Sequence, residues 1–128
     1  QQHLLGSCNL DDIAGCVATR VVGHYPRRNQ MLIDCGFTGL TKQGWGKMET
    51  GYGVFKDNPH LKLCNMNQEH GFVGPLNSDE KLDYSRYPVG TMLFILPYHS
   101  CATANMYRKY LVVEDGIVVE EWIPTRGW

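Results

Sequence analysis

The stretch 17-VATRVVGHYPRRNQMLIDCG-36 decides how the rest of the chain is read. Its first half is dominated by β-branched residues, which suit a pleated, half-buried surface, so a strand is expected from about Val17 to His24. "YPRRN" then supplies turn chemistry, and "QMLIDCG" reads as a second short strand closed by Gly36. Two strands joined by so short a turn must run antiparallel.

Outward from this pair the same rhythm continues. Short apolar runs follow at "YGVF", "LKLCNMN", "HGFVGPL" and "TMLFILP", with the polar segment "NSDEKLDYSRYPVG" between the last two. In "KYLVVEDGIVVEEWI", Asp115-Gly116 separates two apolar runs, the strongest short-range hairpin signal in the chain. From Phe37 to Gly53 there are five glycines and little periodicity, so a loop is expected. The segment Tyr98 to Tyr107 also reads as a loop. Before Val17, "QQHLLGSCNLDDIAGC" reads as a helical fragment and a short helix capped by Asn9, with Asp11 and Asp12 in its positive first turn. Strands every ten to fifteen residues with little helix predict a mainly β fold, a small antiparallel barrel or sandwich.

At 128 residues the chain is the size of one domain and can bury a core without staples. A net charge of −1 with no cluster of either sign argues against a nucleic-acid binder or a polybasic membrane surface. The longest uncharged apolar stretch, "VGTMLFILPYHSCA", is too short to span a bilayer and is broken by Pro97. The five cysteines form no CxxC and no zinc-finger framework, which suits a reducing compartment; the cytoplasm is the expected location.

The chemistry concentrates in "ILPYHSCATAN". If Ile95 to Cys101 stays extended, residues two apart point to one side with Cα atoms about 6.6 Å apart. An imidazole nitrogen and a thiolate could then converge on one ion. Three readings stand side by side: a metal half-site, a cysteine nucleophile with a histidine base, or a strand-end histidine beside a packed cysteine. Catalytic zinc usually takes three protein ligands, and a base and its nucleophile usually come from separate parts of a fold. In "QEHG", Glu69 and His70 could orient a ligand as a carboxylate–imidazole pair, or simply form a solvated turn. His24, beside a proline turn, reads as a surface residue, and Arg126 and Trp128 carry little signal of their own.

The segments "TRVVGHYPRRNQMLIDCGFTGLT", "NQEHGFV", "VGTMLFILPYHSCATANMY" and the terminal "RGW" together resemble the C-terminal domain of the eukaryotic D-serine dehydratases. These group with the D-threonine aldolases among the alanine-racemase-like, pyridoxal-phosphate-dependent enzymes. The specific feature is "EHG" followed by P-x-H-x-C-x-T-x-N. The resemblance implies His99 and Cys101 as zinc ligands, with Tyr98, Thr103, Asn105, Glu69 and His70 supporting the site or touching substrate. Aldolases more often carry Asp where this chain has Cys101, so the thiolate points to dehydratase chemistry and to zinc over harder ions. The implied reaction is β-elimination of D-serine to pyruvate and ammonia, with a D-threonine aldolase-like domain or a D-threo-3-hydroxy amino acid dehydratase domain as the alternative. Pyridoxal phosphate would serve as electron sink and zinc as Lewis acid at the β-hydroxyl.

The resemblance also implies a (β/α)-barrel domain preceding this one, bearing the pyridoxal lysine and phosphate loop. No catalytic lysine or cofactor-binding residue is expected among Lys42, Lys47, Lys56, Lys62, Lys81 and Lys109. Residues 1–9 would be the tail of that barrel and 10–128 the metal-binding β domain. The full-length protein would be a homodimer, with an apolar face around residues 97–105 turned to its partner. An alternative from a different class is a stand-alone β module that binds without catalysing.

Overall fold

The computed structural model describes residues 1–125; Arg126 and Trp128 lie outside the described residues. Strand β1 (Val17–Tyr25) buries Val17, Thr19 and Val21 and exposes Ala18 and Arg20, the period of two that its sequence predicts. A single 3₁₀ turn at Pro26–Arg28 leads to β2 (Gln30–Ile33), with Asn29 in the left-handed region at φ 52°. The register pairs Val21 with Ile33 and Tyr25 with Gln30, and shifts by one residue between Val21 and Gly23. Val22, the extra residue at that bulge, stays on the exposed face, and a bulge of this kind bends the strand that carries it, which suits the closure of a small barrel.

The remaining elements follow in chain order. They are α1 (Phe37–Leu40), β3 (Gly53–Phe55), β4 (Leu61–Met66), β5 (Gly71–Pro75), β6 (Met92–Pro97), α2 (Ser100–Ala104), β7 (Tyr110–Glu114) and β8 (Ile117–Trp122). Six strands form one antiparallel sheet in the order β3-β6-β1-β2-β5-β4. Its two edges meet where Gly51 bridges Leu63, and the Leu63 N–H donates to the Thr50 carbonyl at 3.0 Å. Gly51 has φ +90°, and a Cβ there would lie 2.0 Å from the Leu63 carbonyl oxygen. Only glycine permits that approach, so one residue type decides whether the barrel closes.

The barrel interior is filled by Val21, Met31, Ile33, Leu61, Leu63, Val73 and Ile95, all fully buried, with Phe55 and Leu40 nearly so. Each such side chain contributes about 1.5–3 kcal/mol relative to exposure, so the six-stranded sheet is the stable body of the domain.

Four expectations need correction. The loop expected from Phe37 contains α1, a single turn too short and too glycine-rich to show periodicity. The loop expected after Tyr98 contains α2, which replaces the extended path through Cys101: Pro97 ends β6, and alanines at 102 and 104 favour the helix. His24 is no mere surface residue. Its Nε2 lies 2.6 Å from the Tyr87 carbonyl, and its ring packs 5.0 Å from that of Tyr84. Finally, the exposed apolar surface is not centred on residues 97–105. No large hydrophobic within 97–105 is exposed, although Trp45 and Met106 beside it are; the largest exposed group is Leu111, Val113, Ile117, Val118, Val119 and Trp122 of β7–β8.

The hairpin itself forms as its sequence predicts. Asp115 (φ 49°) and Gly116 (φ 79°) both take the left-handed conformation of a type I′ turn. It makes its own two-stranded sheet, however, and does not join the barrel. The N-terminal segment forms two 3₁₀ turns, His3–Leu5 and Leu10–Asp12, the second opened by Asn9. The Asn9 N–H donates to the Asp12 carboxylate at 2.8 Å.

Candidate functional site

Strand β6 runs out at Pro97, and α2 begins three residues later at Ser100. His99 is the residue before the helix, still extended at φ −127°, ψ 99°; Cys101 is the second residue inside it. Both therefore sit at one corner of the barrel, one on the entering backbone and one in the first turn. His99 is half-buried, while Cys101 is exposed and forms no disulfide. The Nδ1 of His99 lies 2.6 Å from Oε1 of Gln43, a residue 56 positions earlier in the glycine-rich loop. Sequence reading missed Gln43 because nothing in its spacing ties it to the histidine.

The helix bearing Cys101 is anchored from beneath. Thr103 is buried, and its hydroxyl donates to the Leu40 carbonyl at 2.8 Å. Tyr107 donates to the Gly39 carbonyl at 2.7 Å. These two bonds satisfy carbonyls that the four-residue helix α1 cannot satisfy itself. At its other end, α1 is held by the Phe37 N–H donating to the Asn67 carbonyl and the Thr38 hydroxyl donating to the Gln68 carbonyl. A continuous chain of hydrogen bonds thus runs from the β4–β5 turn through α1 to α2. Asn105 closes α2, its N–H donating to the Cys101 carbonyl.

Glu69 and His70 lie at the tip of the β4–β5 turn, and both are exposed. The side-chain oxygen of Asn67 accepts from both of their backbone N–H groups, at 3.1 and 2.7 Å. Among the described residues no hydrogen bond joins their side chains to each other, or to His99 or Cys101. Glu69 instead lines an open cleft of about 300 Å³ with Asp34, Cys35, Thr38 and Tyr107.

In that cleft, burial pushes the Cys35 thiol up to about 11, with the Asp34 charge adding to the shift. Burial likewise raises Tyr107 to about 12, helped by Cys35 and Asp34. Both groups are therefore neutral donors at physiological pH. Burial alone would raise Asp34 as well, but hydrogen bonds from the Arg20 N–H and the Thr19 hydroxyl, each 2.7 Å, hold it below its ordinary value.

Among the described residues, no three His, Cys, Asp or Glu side chains converge as a metal cluster. His99 and Cys101 are thus a two-donor set. It is chemically suited to zinc, which takes imidazole nitrogen and thiolate sulfur together. An imidazole whose other nitrogen meets a carbonyl oxygen is also the usual state of a metal-binding histidine. The donor types present fit such an ion.

A closed antiparallel barrel with short helices at one corner is the architecture of a β domain from an alanine-racemase-like enzyme. An alanine-racemase-like protein of Idiomarina loihiensis superposes with a TM-score of 0.83 and 33% identity, over 99% of this chain and 35% of that one. The D-threo-3-hydroxyaspartate dehydratase from Delftia sp. HT23 superposes with a TM-score of 0.84 and 29% identity, over 99% and 36%. Solved forms of a D-threo-3-hydroxyaspartate dehydratase include a histidine-to-alanine variant and a cysteine-to-alanine variant in the metal-free form. One residue separates their two substituted positions.

Residues 14–113 match the family model described as "Putative serine dehydratase domain", and the chain belongs to that family. It is 30% identical to the D-serine dehydratase of Dictyostelium discoideum, over 99% of this chain and 34% of that protein. To the Delftia D-threo-3-hydroxyaspartate dehydratase it is 30% identical, over 97% and 35%. The chain thus spans about a third of these dehydratases. An uncharacterized protein of Mycobacterium tuberculosis is 32% identical, over 99% of this chain and 94% of its own length.

Proposed function

We propose that this chain is the metal-bearing β domain of a pyridoxal-phosphate-dependent dehydratase that acts on D-serine or a related D-3-hydroxy amino acid. The observation that carries the reading is the placement of His99 and Cys101 at one solvent-open corner, within a chain that belongs to the dehydratase family. The spacing of the substituted histidine and cysteine in the hydroxyaspartate dehydratase supports the same assignment. His99 and Cys101 would hold zinc, which when bound supplies a Lewis acid for the departing β-hydroxyl. The exposed thiol leaves that corner open to a substrate arriving from another domain. Thr103 fixes α2 from below and so keeps Cys101 in place beside His99.

Pyridoxal phosphate and its lysine would belong to the polypeptide that makes up the other two thirds of the dehydratases. Assembly would be as a homodimer, each β domain facing the other subunit's barrel. The test is to express the gene with whatever coding sequence precedes Gln1 and measure pyruvate release from D-serine, with and without chelator. Chelator-sensitive release that His99→Ala abolishes supports the reading; full activity in that variant sinks it. Oxaloacetate from D-threo-3-hydroxyaspartate, 2-oxobutyrate from D-threonine by elimination, or glycine and acetaldehyde from D-threonine by aldol cleavage separate the neighbouring reaction classes.

The M. tuberculosis protein favours a second reading, a non-catalytic β module, because this domain matches nearly all of that protein's length. A full-length product that binds zinc yet releases neither a keto acid nor glycine and an aldehyde from any of the three substrates would favour it.

A further inference from the structure

Resting on the metal reading of His99, we propose that Gln43 is a positioning residue: it fixes His99 in the Nδ1–H tautomer and so leaves a bare Nε2 as the donor. The Gln43 Oε1 that lies 2.6 Å from Nδ1 can only accept a hydrogen bond. Nδ1 must therefore carry the hydrogen, and the lone pair of the neutral ring is left on Nε2. A free imidazole side chain in water favours the opposite tautomer, with the hydrogen on Nε2. Without Gln43 the ring would have to change tautomer before it could bind through that atom.

The loop that delivers Gln43 is shaped for the task. Gly44 has φ +94°, and a Cβ at this position would lie 2.7 Å from both Cβ and Cγ of Tyr98. The loop backbone thus rests on the side chain of the residue immediately before His99. One contact fixes the backbone of the histidine and the position of its partner together. Beyond Gly44, the Lys47 N–H donates to the Gly44 carbonyl at 2.9 Å. Trp45 then stacks on the buried Tyr52, with ring centres 5.0 Å apart and planes 22° apart. A glutamine held this way loses less freedom on making its bond than one on a loose loop.

The test uses the 128-residue chain without metal, and then with zinc alone. Two-bond ¹⁵N–¹H correlations report the His99 tautomer, with His99→Ala assigning the signal. The wild type should show Nδ1–H, whereas Gln43→Ala and Gly44→Ala should move the ring towards Nε2–H. Zinc affinity, measured against a competing chelator, should fall about 10–100-fold in Gln43→Ala and recover in Gln43→Glu. An Nε2–H ring in the wild type, or a tautomer indifferent to Gln43, overturns the proposal. A tautomer that follows Gln43 while the full-length His99→Ala protein keeps its zinc and its activity upholds the positioning bond while removing the metal reading. The two failures are therefore distinguishable.

Discussion

Thr103 donates its hydroxyl to the Leu40 carbonyl at 2.8 Å, in a spot closed to water, and so pins the helix that carries Cys101 to the one before it. Thr103→Val keeps the shape of the side chain but leaves that carbonyl buried without its donor. The expected cost is about 1–3 kcal/mol of unfolding free energy. Thr103→Ser, which keeps the donor, should lose less. Urea denaturation of both variants measures this; equal stability in valine and wild type would mean another donor replaces the hydroxyl.

The cysteines should differ sharply in reactivity. Cys35 is buried and its thiol is pushed up to about 11, so at pH 8 almost none is thiolate. Cys101 is exposed at the start of α2. Iodoacetamide at pH 8, read by peptide mass spectrometry, should label Cys101 within minutes and leave Cys35 unmodified until the chain unfolds. Added zinc should slow labelling of Cys101 and leave the other sites unchanged. Equal labelling of the two would mean that the cleft above Cys35 opens in solution.

Asp34 gives the domain an acid-sensitive element. Its folded value lies below the ordinary 3.8, because hydrogen bonds from Arg20 and Thr19 outweigh burial. A depressed carboxylate stabilises the fold above its unfolded value, and the benefit is lost as pH falls through the folded one. Asp34→Asn should therefore cost about 1 kcal/mol at pH 6, discounted because the carboxylate is largely in water. The gap to wild type should narrow steadily below pH 4. A gap that stays constant from pH 6 to pH 2.5 would count against the linkage.

What the sequence made legible follows from what periodicity can carry. The strands from Val17 to Ile33, from Leu61 to Pro75 and from Met92 to Pro97 announce themselves through alternating or continuous apolar runs, and all of them form. Helices of four and five residues carry no period, so α1 and α2 were invisible, and with them the true setting of Cys101. The barrel's closure at Gly51 and Leu63 depends on one backbone contact, which no pattern encodes. The His99–Cys101 pair could be read because its residues are neighbours in sequence. Gln43, 56 positions from His99, could not. Long-range polar contacts leave no local trace.

The β7–β8 hairpin yields the last prediction. Its turn is locally well formed, since Asp115 and Gly116 both adopt positive φ, and Lys109 pairs with Glu121 at 2.5 Å. Yet every residue of β8 is exposed, and the hairpin shares no ladder with the barrel. A lone two-stranded ribbon is marginal in water. In the 128-residue chain its amides should exchange close to the unprotected rate, whereas those of β1, β2, β5 and β6 should be slowed towards the limit set by global unfolding. Gly116→Ala forces a Cβ into the left-handed region at a cost of about 1–2 kcal/mol. That should weaken the hairpin while leaving the barrel's urea midpoint unchanged. Hydrogen exchange followed by NMR, together with the denaturation midpoint of the variant, checks both parts. Barrel-level protection of Val112 or Val118 in the isolated chain would show that the hairpin has found a packing partner and does not stand apart from the barrel.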